Sequence, residues 1–438
     1  MRTLSLLLPE VLVTGAGLAC LLERRLLLLR RAWVPVAVAA VVLVALAVEL
    51  VEGGQLTLLF SGGFSQDRFA LFAKAAILLT TLLIVLAADW RELGPTSLGL
   101  TLLAALGGMV AASATDLVVV WAGLQLAVLA SIAALGLRDP AAARGLLPLL
   151  GGLAALVALG MALVAAGAGT VVLSSMRTAL VTPVALPLVI AVLLVLGALL
   201  AQLGLAPFLG PLATAAAGIA LLKFAGAVVG LAVAWSVLVP AVAALAMLAA
   251  ALGAVAGGPA RGIVGWAGLL QLGWVVAGLA GGSRLALGAS LFLFGAYLVA
   301  SAAAPLVLGE TPHGLAGLAE RSPARAAGFA VCLLSLAGIP PLAGFFGEFA
   351  VAAQLAHAGL FWLVAAGFLA WAVVGFAVLR DLRLVFLASP GEQVVQSTRG
   401  WLAGGGAALA AVVVVAYVLF ANPISGLAVQ GATAIGLR

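Results

Sequence analysis

The chain has 438 residues, of which 66% are hydrophobic and 8% charged, with a formal net charge of +6 and a mean hydropathy of +1.35. A soluble protein carries about 25% charged residues, so the composition excludes a soluble globular domain, and arginines scattered over loops give no basic patch for nucleic acid. The apolar runs are continuous rather than alternating, which excludes a transmembrane barrel; backbone groups in lipid must pair internally, so the runs are helices.

A crossing helix needs about 20 mostly apolar residues, and in chain order that rule places about fourteen of them. They centre on 4–22, 32–51, 69–88, 96–113, 116–136, 145–166, 183–205, 211–235, 238–256, 262–280, 285–308, 325–356, 358–385 and 401–421. The first run lacks a basic leader and an A-x-A site, so a retained helix is expected rather than a cleaved signal. The runs 325–356 and 358–385 exceed one span and are expected to be broken, tilted or extended. Arginine alternates between loops. One set holds Arg24, Arg25, Arg30, Arg31, Arg91, Arg138, Arg144, Arg261, Arg321, Arg325, Arg380, Arg383 and Arg399; the other holds only Arg2, Arg68, Arg177, Arg284 and Arg438. The positive-inside rule then puts both termini on the outer side. Cys20 and Cys332 stand alone in apolar runs, read as small buried residues, and with two histidines build no metal or iron–sulfur site.

Two runs share their punctuation. One is "QLGLAPFLGPLA" at 202–213, with Pro207 and Pro211; the other is "GIPPLAGFFGE" at 338–348, with Pro340 and Pro341. Each falls near the fourth helix of a five-helix block, and an odd number of helices inverts the second block relative to the first. Paired proline-broken helices in inverted repeats point to an ion pathway; helices kinked merely to fit a bundle are the alternative. The expected organisation is a three-helix segment over 1–95, a first repeat over 96–237, a second over 238–385, and a C-terminal helix and tail over 386–438.

Charges at membrane depth cost several kcal/mol and so are functional candidates. The chain has two lysines, Lys74 and Lys223, and both lie in expected spans. Lys223 sits deep in its helix, and Glu348 follows the broken turn. A lysine and a glutamate kept from water can both exchange protons near neutral pH. Structural readings suit the others. Lys74 is expected to snorkel or to pair near Asp67 and Arg68, Glu10 to cap a helix after Pro9, Glu49 to reach interfacial water, and Asp116 to cap the next helix. His313 and His357 are expected in surface loops.

"LSLAGIPPLAGFFGEF" resembles the broken twelfth helix of the antiporter-like membrane subunits of respiratory complex I, the NADH-quinone oxidoreductases. Related subunits occur in membrane-bound hydrogenases and multisubunit Na⁺/H⁺ antiporters. "SQDRFALFAKAAILL", "MVAASATDLVVVWAGLQLAVLASIAALGLRD" and "GLAERSPARAAGFAVCLLSLAGIPP" are most similar to the N-type subunits, and the resemblance spans roughly residues 1–421. It implies an all-α integral membrane protein of about fourteen helices in two inverted five-helix repeats with broken seventh and twelfth helices. It also implies proton translocation, with Lys223 at the eighth-helix lysine and Glu348 at the twelfth-helix ionisable position. The departures are informative. The family's fifth-helix glutamate is Gln125 here, its seventh-helix lysine is replaced at "AQLGLAPFL" around Gln202, and a tenth-helix histidine position holds Gln271. Glutamine orders hydrogen bonds but holds no exchangeable proton at physiological pH.

The expectation is therefore a membrane-arm subunit with no redox centre of its own. NADH or another donor, flavin, iron–sulfur clusters and quinone belong to partner subunits in a bacterial-type inner membrane. Its proton path is weakened or lost in the first half. The alternatives are a subunit of a cation/proton antiporter or membrane-bound hydrogenase, and a scaffold subunit that does not pump.

Overall fold

The computed structural model describes residues 5–26, 33–54, 56–88, 90–180, 185–228, 234–257, 260–301, 315–389 and 401–435. Arg2, Arg30, Arg31, His313, Arg399 and Arg438 lie outside them. Within them the protein is a multi-pass helical membrane protein. Nine helices are long and apolar enough to cross a bilayer, and a pair bent by 77°, Gly404–Leu419 and Ala421–Ala434, makes a further candidate. Shorter apolar helices cover Leu8–Leu22, Pro211–Ala227, Arg284–Ala300 and Pro323–Leu336.

The helix starts follow from local chemistry. Proline occupies the first turn of Val34–Glu52, Pro140–Ala168, Leu186–Leu209, Pro211–Ala227, Val239–Ala256 and Pro323–Leu336, where the missing N–H would be unpaired anyway. Elsewhere a side chain takes the first free N–H groups. Asp67 accepts from Ala70 N at 2.8 Å, Asp116 from Val119 N at 2.9 Å, Asp139 from Ala142 N at 2.9 Å and Ser283 from Ala286 N at 3.0 Å.

The chain divides into two compact units. The first comprises Met1–Thr81, Trp90–Val237 and Gln430–Arg438; the second comprises Leu82–Asp89 and Leu238–Val429. In the first unit, Trp90–Ser113 and Leu117–Gly136 meet backbone to backbone. A Cβ at Gly107 would overlap Gly123 O and Ala127 N, and one at Gly123 would overlap Gly107 O and Ala111 N. Such small-residue crossings supply the dispersion contact that replaces the hydrophobic effect in lipid. In the second unit, Gly367 admits the ring of the fully buried Trp274, and Gly328 lies against Ala407.

Several elements differ from the sequence reading. A hairpin pairs Thr57–Leu59 with Phe64–Gln66 before the third long helix, and a seven-residue helix covers Leu173–Ala179. Pro207 does not break its helix: Leu186–Leu209 continues through it, and the break falls at Gly210, whose φ is +130°. Pro207 has no N–H for Leu203 O, yet the helix runs on to Leu209, and the backbone at Gly210 that ends it suits only glycine. The two overlong runs do agree with the reading that they are broken, tilted or extended: 325–356 is broken into Pro323–Leu336 and Ala343–His357, and 358–385 is an extended helix of 27 residues, Phe361–Leu387. His357 ends a helix rather than lying in a loop, with Nδ1 2.7 Å from Ala353 O.

Candidate functional site

Both units carry buried polar side chains. In the second, the Pro323–Leu336 helix ends, Gly338 turns with φ +65°, the cis-linked Pro340-Pro341 pair follows, and a new helix starts at Ala343. Prolines cannot donate to a helix ladder, and the carbonyls freed here find local partners. Gln271 Nε2 donates to Ser335 O at 2.7 Å, and Trp371 Nε1 donates to Gly338 O at 2.9 Å. Gly344 N–H donates to Ser335 Oγ at 3.3 Å.

Glu348 lies in the resumed helix, 1% exposed. Its carboxyl fills the space that a side chain at Gly338 would need. Gln271 is the polar side chain that interacts with it. Even so, neither carboxyl oxygen makes a hydrogen bond of full geometry among the described residues, and Gln271 Oε1 is likewise unpaired. Three buried acceptor atoms, two on Glu348 and one on Gln271, thus lack a hydrogen bond of full geometry among the described residues, and buried polar atoms ordinarily find one.

In the first unit, Lys223 belongs to Pro211–Ala227, a helix buried along its whole length. Its Nζ donates to Ala114 O at 2.5 Å and lies 5.6 Å from the centroid of the Phe69 ring. It interacts with the charges of Asp67, Lys74 and Asp116. Ala114 follows the end of Trp90–Ser113, so its carbonyl is free for a side chain to claim. Asp116 fixes this junction by capping the next helix. Replacing Asp116 by Ala is expected to lower stability by about 1 kcal/mol, measured as detergent-solubilised thermal unfolding; an unchanged midpoint would leave the cap without structural weight.

Gln202 is 1% exposed, and both its amide atoms lack partners among the described residues. Gln125 is half-buried, with Nε2 unpaired. The structure joins Gln202 by hydrogen bond neither to Gln125 nor to Lys223. Lys223 and Gln202 fall in the first unit, Gln271 and Glu348 in the second.

The sequence reading passed over a third group. Lys74 does not snorkel: it is 1% exposed, with Nζ 2.6 Å from Glu10 Oε1, 2.7 Å from Gln66 Oε1 and 3.8 Å from Glu49 Oε2. Its carboxylate partners are Glu10 and Glu49 rather than Asp67. Glu49 is 2% exposed and accepts from Gln66 Nε2, so it does not reach interfacial water. Glu10 lies in the first turn of Leu8–Leu26 rather than preceding it as a cap. The signal was available, since successive antiparallel spans put the start of the first, the end of the second and the start of the third at one end. Among the described residues, no group of His, Cys, Asp or Glu suits a metal ion.

Residues 114–373 match the family described as NADH:quinone oxidoreductase/Mrp antiporter, TM. The chain belongs to that family. The relatives this family member matches include NADH-quinone oxidoreductase subunit N 2 of Acidobacterium capsulatum, 38% identical over 169 residues, 36% of this chain and 34% of that protein. Another is subunit N 2 of Roseiflexus castenholzii, 34% identical over 195 residues, 40% of this chain and 39% of that protein. The chain thus matches well under half the length of each. A chain of respiratory complex I from Thermus thermophilus shares the fold at TM-score 0.78 and 25% identity, covering 95% of this chain and 98% of that one. A chain of the Mrp complex from Dietzia sp. shares it at TM-score 0.82 and 20% identity, covering 99% and 97%. These solved neighbours are chains of multisubunit complexes, and this chain is similar to subunit N within its family.

Proposed function

We propose that this chain is a membrane-arm subunit of a complex I-type NADH-quinone oxidoreductase, coupling redox chemistry in partner subunits to proton translocation. Glu348 carries the reading: a buried carboxyl that makes no hydrogen bond of full geometry among the described residues, in the helix that resumes after the Pro340-Pro341 break. Lys223, buried in the first unit, is the second proton-exchanging group. The donor, flavin, iron–sulfur clusters and quinone sit in the partners. The chain crosses a bacterial inner membrane fourteen times with both termini outside, in two inverted five-helix repeats; the two compact units that change over at Val237–Leu238 support the repeats.

The first-half path is weakened, because Gln125 and Gln202 stand where the resemblance expects a glutamate and a lysine. Gln202 in particular is desolvated with no bond in return among the described residues. Replacing Gln125 and Gln202 together by Leu is expected to leave the proton-to-electron ratio of the assembled complex unchanged. A fall would show that protons still cross there. The Mrp-like fold supports a second reading, a subunit of a cation/proton antiporter. Affinity purification of the tagged chain decides between them: NADH-binding and iron–sulfur subunits should co-purify, and recovery of antiporter subunits alone would sink the complex I reading.

A further inference from the structure

The group around Lys74 has no part in the path just described, and its composition is unusual. Two carboxylates, Glu10 and Glu49, share one ammonium, and all three side chains are at least nine-tenths buried. The Lys74 ammonium donates to Glu10 Oε1 at 2.6 Å and Gln66 Oε1 at 2.7 Å, with Glu49 Oε2 a farther ion-pair partner at 3.8 Å. The charges that Glu49 interacts with are those of Lys74 and Glu10. The Arg68 guanidinium lies beside Gly54, and Asp67 is occupied with Ser65 and the Ala70 N–H. Fully ionised, the group would hold one uncompensated negative charge away from water, which is costly. One additional proton makes it neutral. Glu10 Oε2 is buried and unpartnered among the described residues, so an acceptor atom is free beside the ion pair.

Lys223 lies beside the helix that carries Lys74. Phe69 lies one and a half turns before Lys74 on the same helix and presents its ring to the Lys223 ammonium. Lys223 and Lys74 interact as like charges, so loading one site with a proton disfavours loading the other. The remaining charges facing Lys223 are Asp67 and Asp116.

We propose that Glu10, Glu49 and Lys74 form a proton-binding site that exchanges protons with Lys223, taking the place of the ionisable pair absent at Gln125 and Gln202. No bond other than O–H and N–H changes: a carboxylate oxygen takes the proton that an ammonium releases. The exchange rests on the function proposed above; the binding of the extra proton does not.

The test uses the assembled complex carrying Glu49→Gln, which keeps the volume and an acceptor for Gln66. Two measurements are made, a pH titration of the protonated-carboxyl infrared bands and the proton-to-electron ratio. The expected result is loss of one titrating carboxyl band and a lowered ratio. An unchanged carboxyl spectrum would overturn the site, whatever complex the chain proves to serve. A lost band with an unchanged ratio would overturn the exchange with Lys223. If Glu49→Gln fails to assemble while Glu49→Asp assembles but adds no titrating band over a Glu49→Asp/Glu10→Gln variant, the carboxylates serve the fold alone and the proposal fails.

Discussion

Replacing Glu348 by Gln is expected to remove this subunit's entire share of the proton-to-electron ratio while leaving the complex assembled. The side chain is buried against Gly338, and its oxygens make no hydrogen bond of full geometry among the described residues. Glutamine has nearly the same volume, so packing at the turn is conserved and stability should stay within about 1 kcal/mol of the parent. What disappears is the ability to take up and release a proton. Donor-to-quinone turnover is carried by partner subunits in the proposed function, so electron flow should continue with fewer protons moved. Proton uptake by membrane vesicles at matched electron flux measures this. An unchanged ratio with intact assembly would leave only a scaffold role.

The second large effect is structural. Replacing Gly107 by Val should destabilise the first unit by about 1–3 kcal/mol, the range for overpacking, and towards the upper end. The Cβ would meet Gly123 O and Ala127 N, which are backbone atoms and cannot rotate away. The two helices must separate, and the close contact that holds them is lost along with the clash. Gly151 supplies the control: a Cβ there meets nothing within 4 Å, so Gly151→Ala should be neutral or slightly stabilising through helix propensity. Thermal unfolding in detergent compares the two. Equal midpoints would show that the Gly107–Gly123 crossing yields easily.

Much of the fold was legible because lipid simplifies the physics. Continuous apolar runs admit one spanning solution, and the punctuation at Asp116 and Pro211 marks helix starts in both sequence and structure. The broken turn at Pro340-Pro341 was legible for the same reason. Pro207 misled because proline position alone does not locate a break; the adjacent Gly210 does. The hairpin was missed although Gly53-Gly54 and Ser61-Gly62-Gly63 flank the "LTLLF" run, a turn pattern hidden beside long helices. The Lys74 group was missed because each charge was judged against its own helix. Its partners come from three different elements, and only the alternating direction of the spans brings them to one end.

The long helix Phe361–Leu387 has a mechanical consequence. Twenty-seven residues at 1.5 Å each make a rod of about 40 Å, longer than the roughly 30 Å hydrocarbon layer. Arg380, near one end, grips Ala254 O and Val255 O, the closing carbonyls of a neighbouring helix. Near its middle, Trp371 holds the carbonyl of Gly338, the residue pressed against the Glu348 carboxyl. One continuous helix therefore ties the closing carbonyls of Val239–Ala256 to the turn that walls the Glu348 carboxyl.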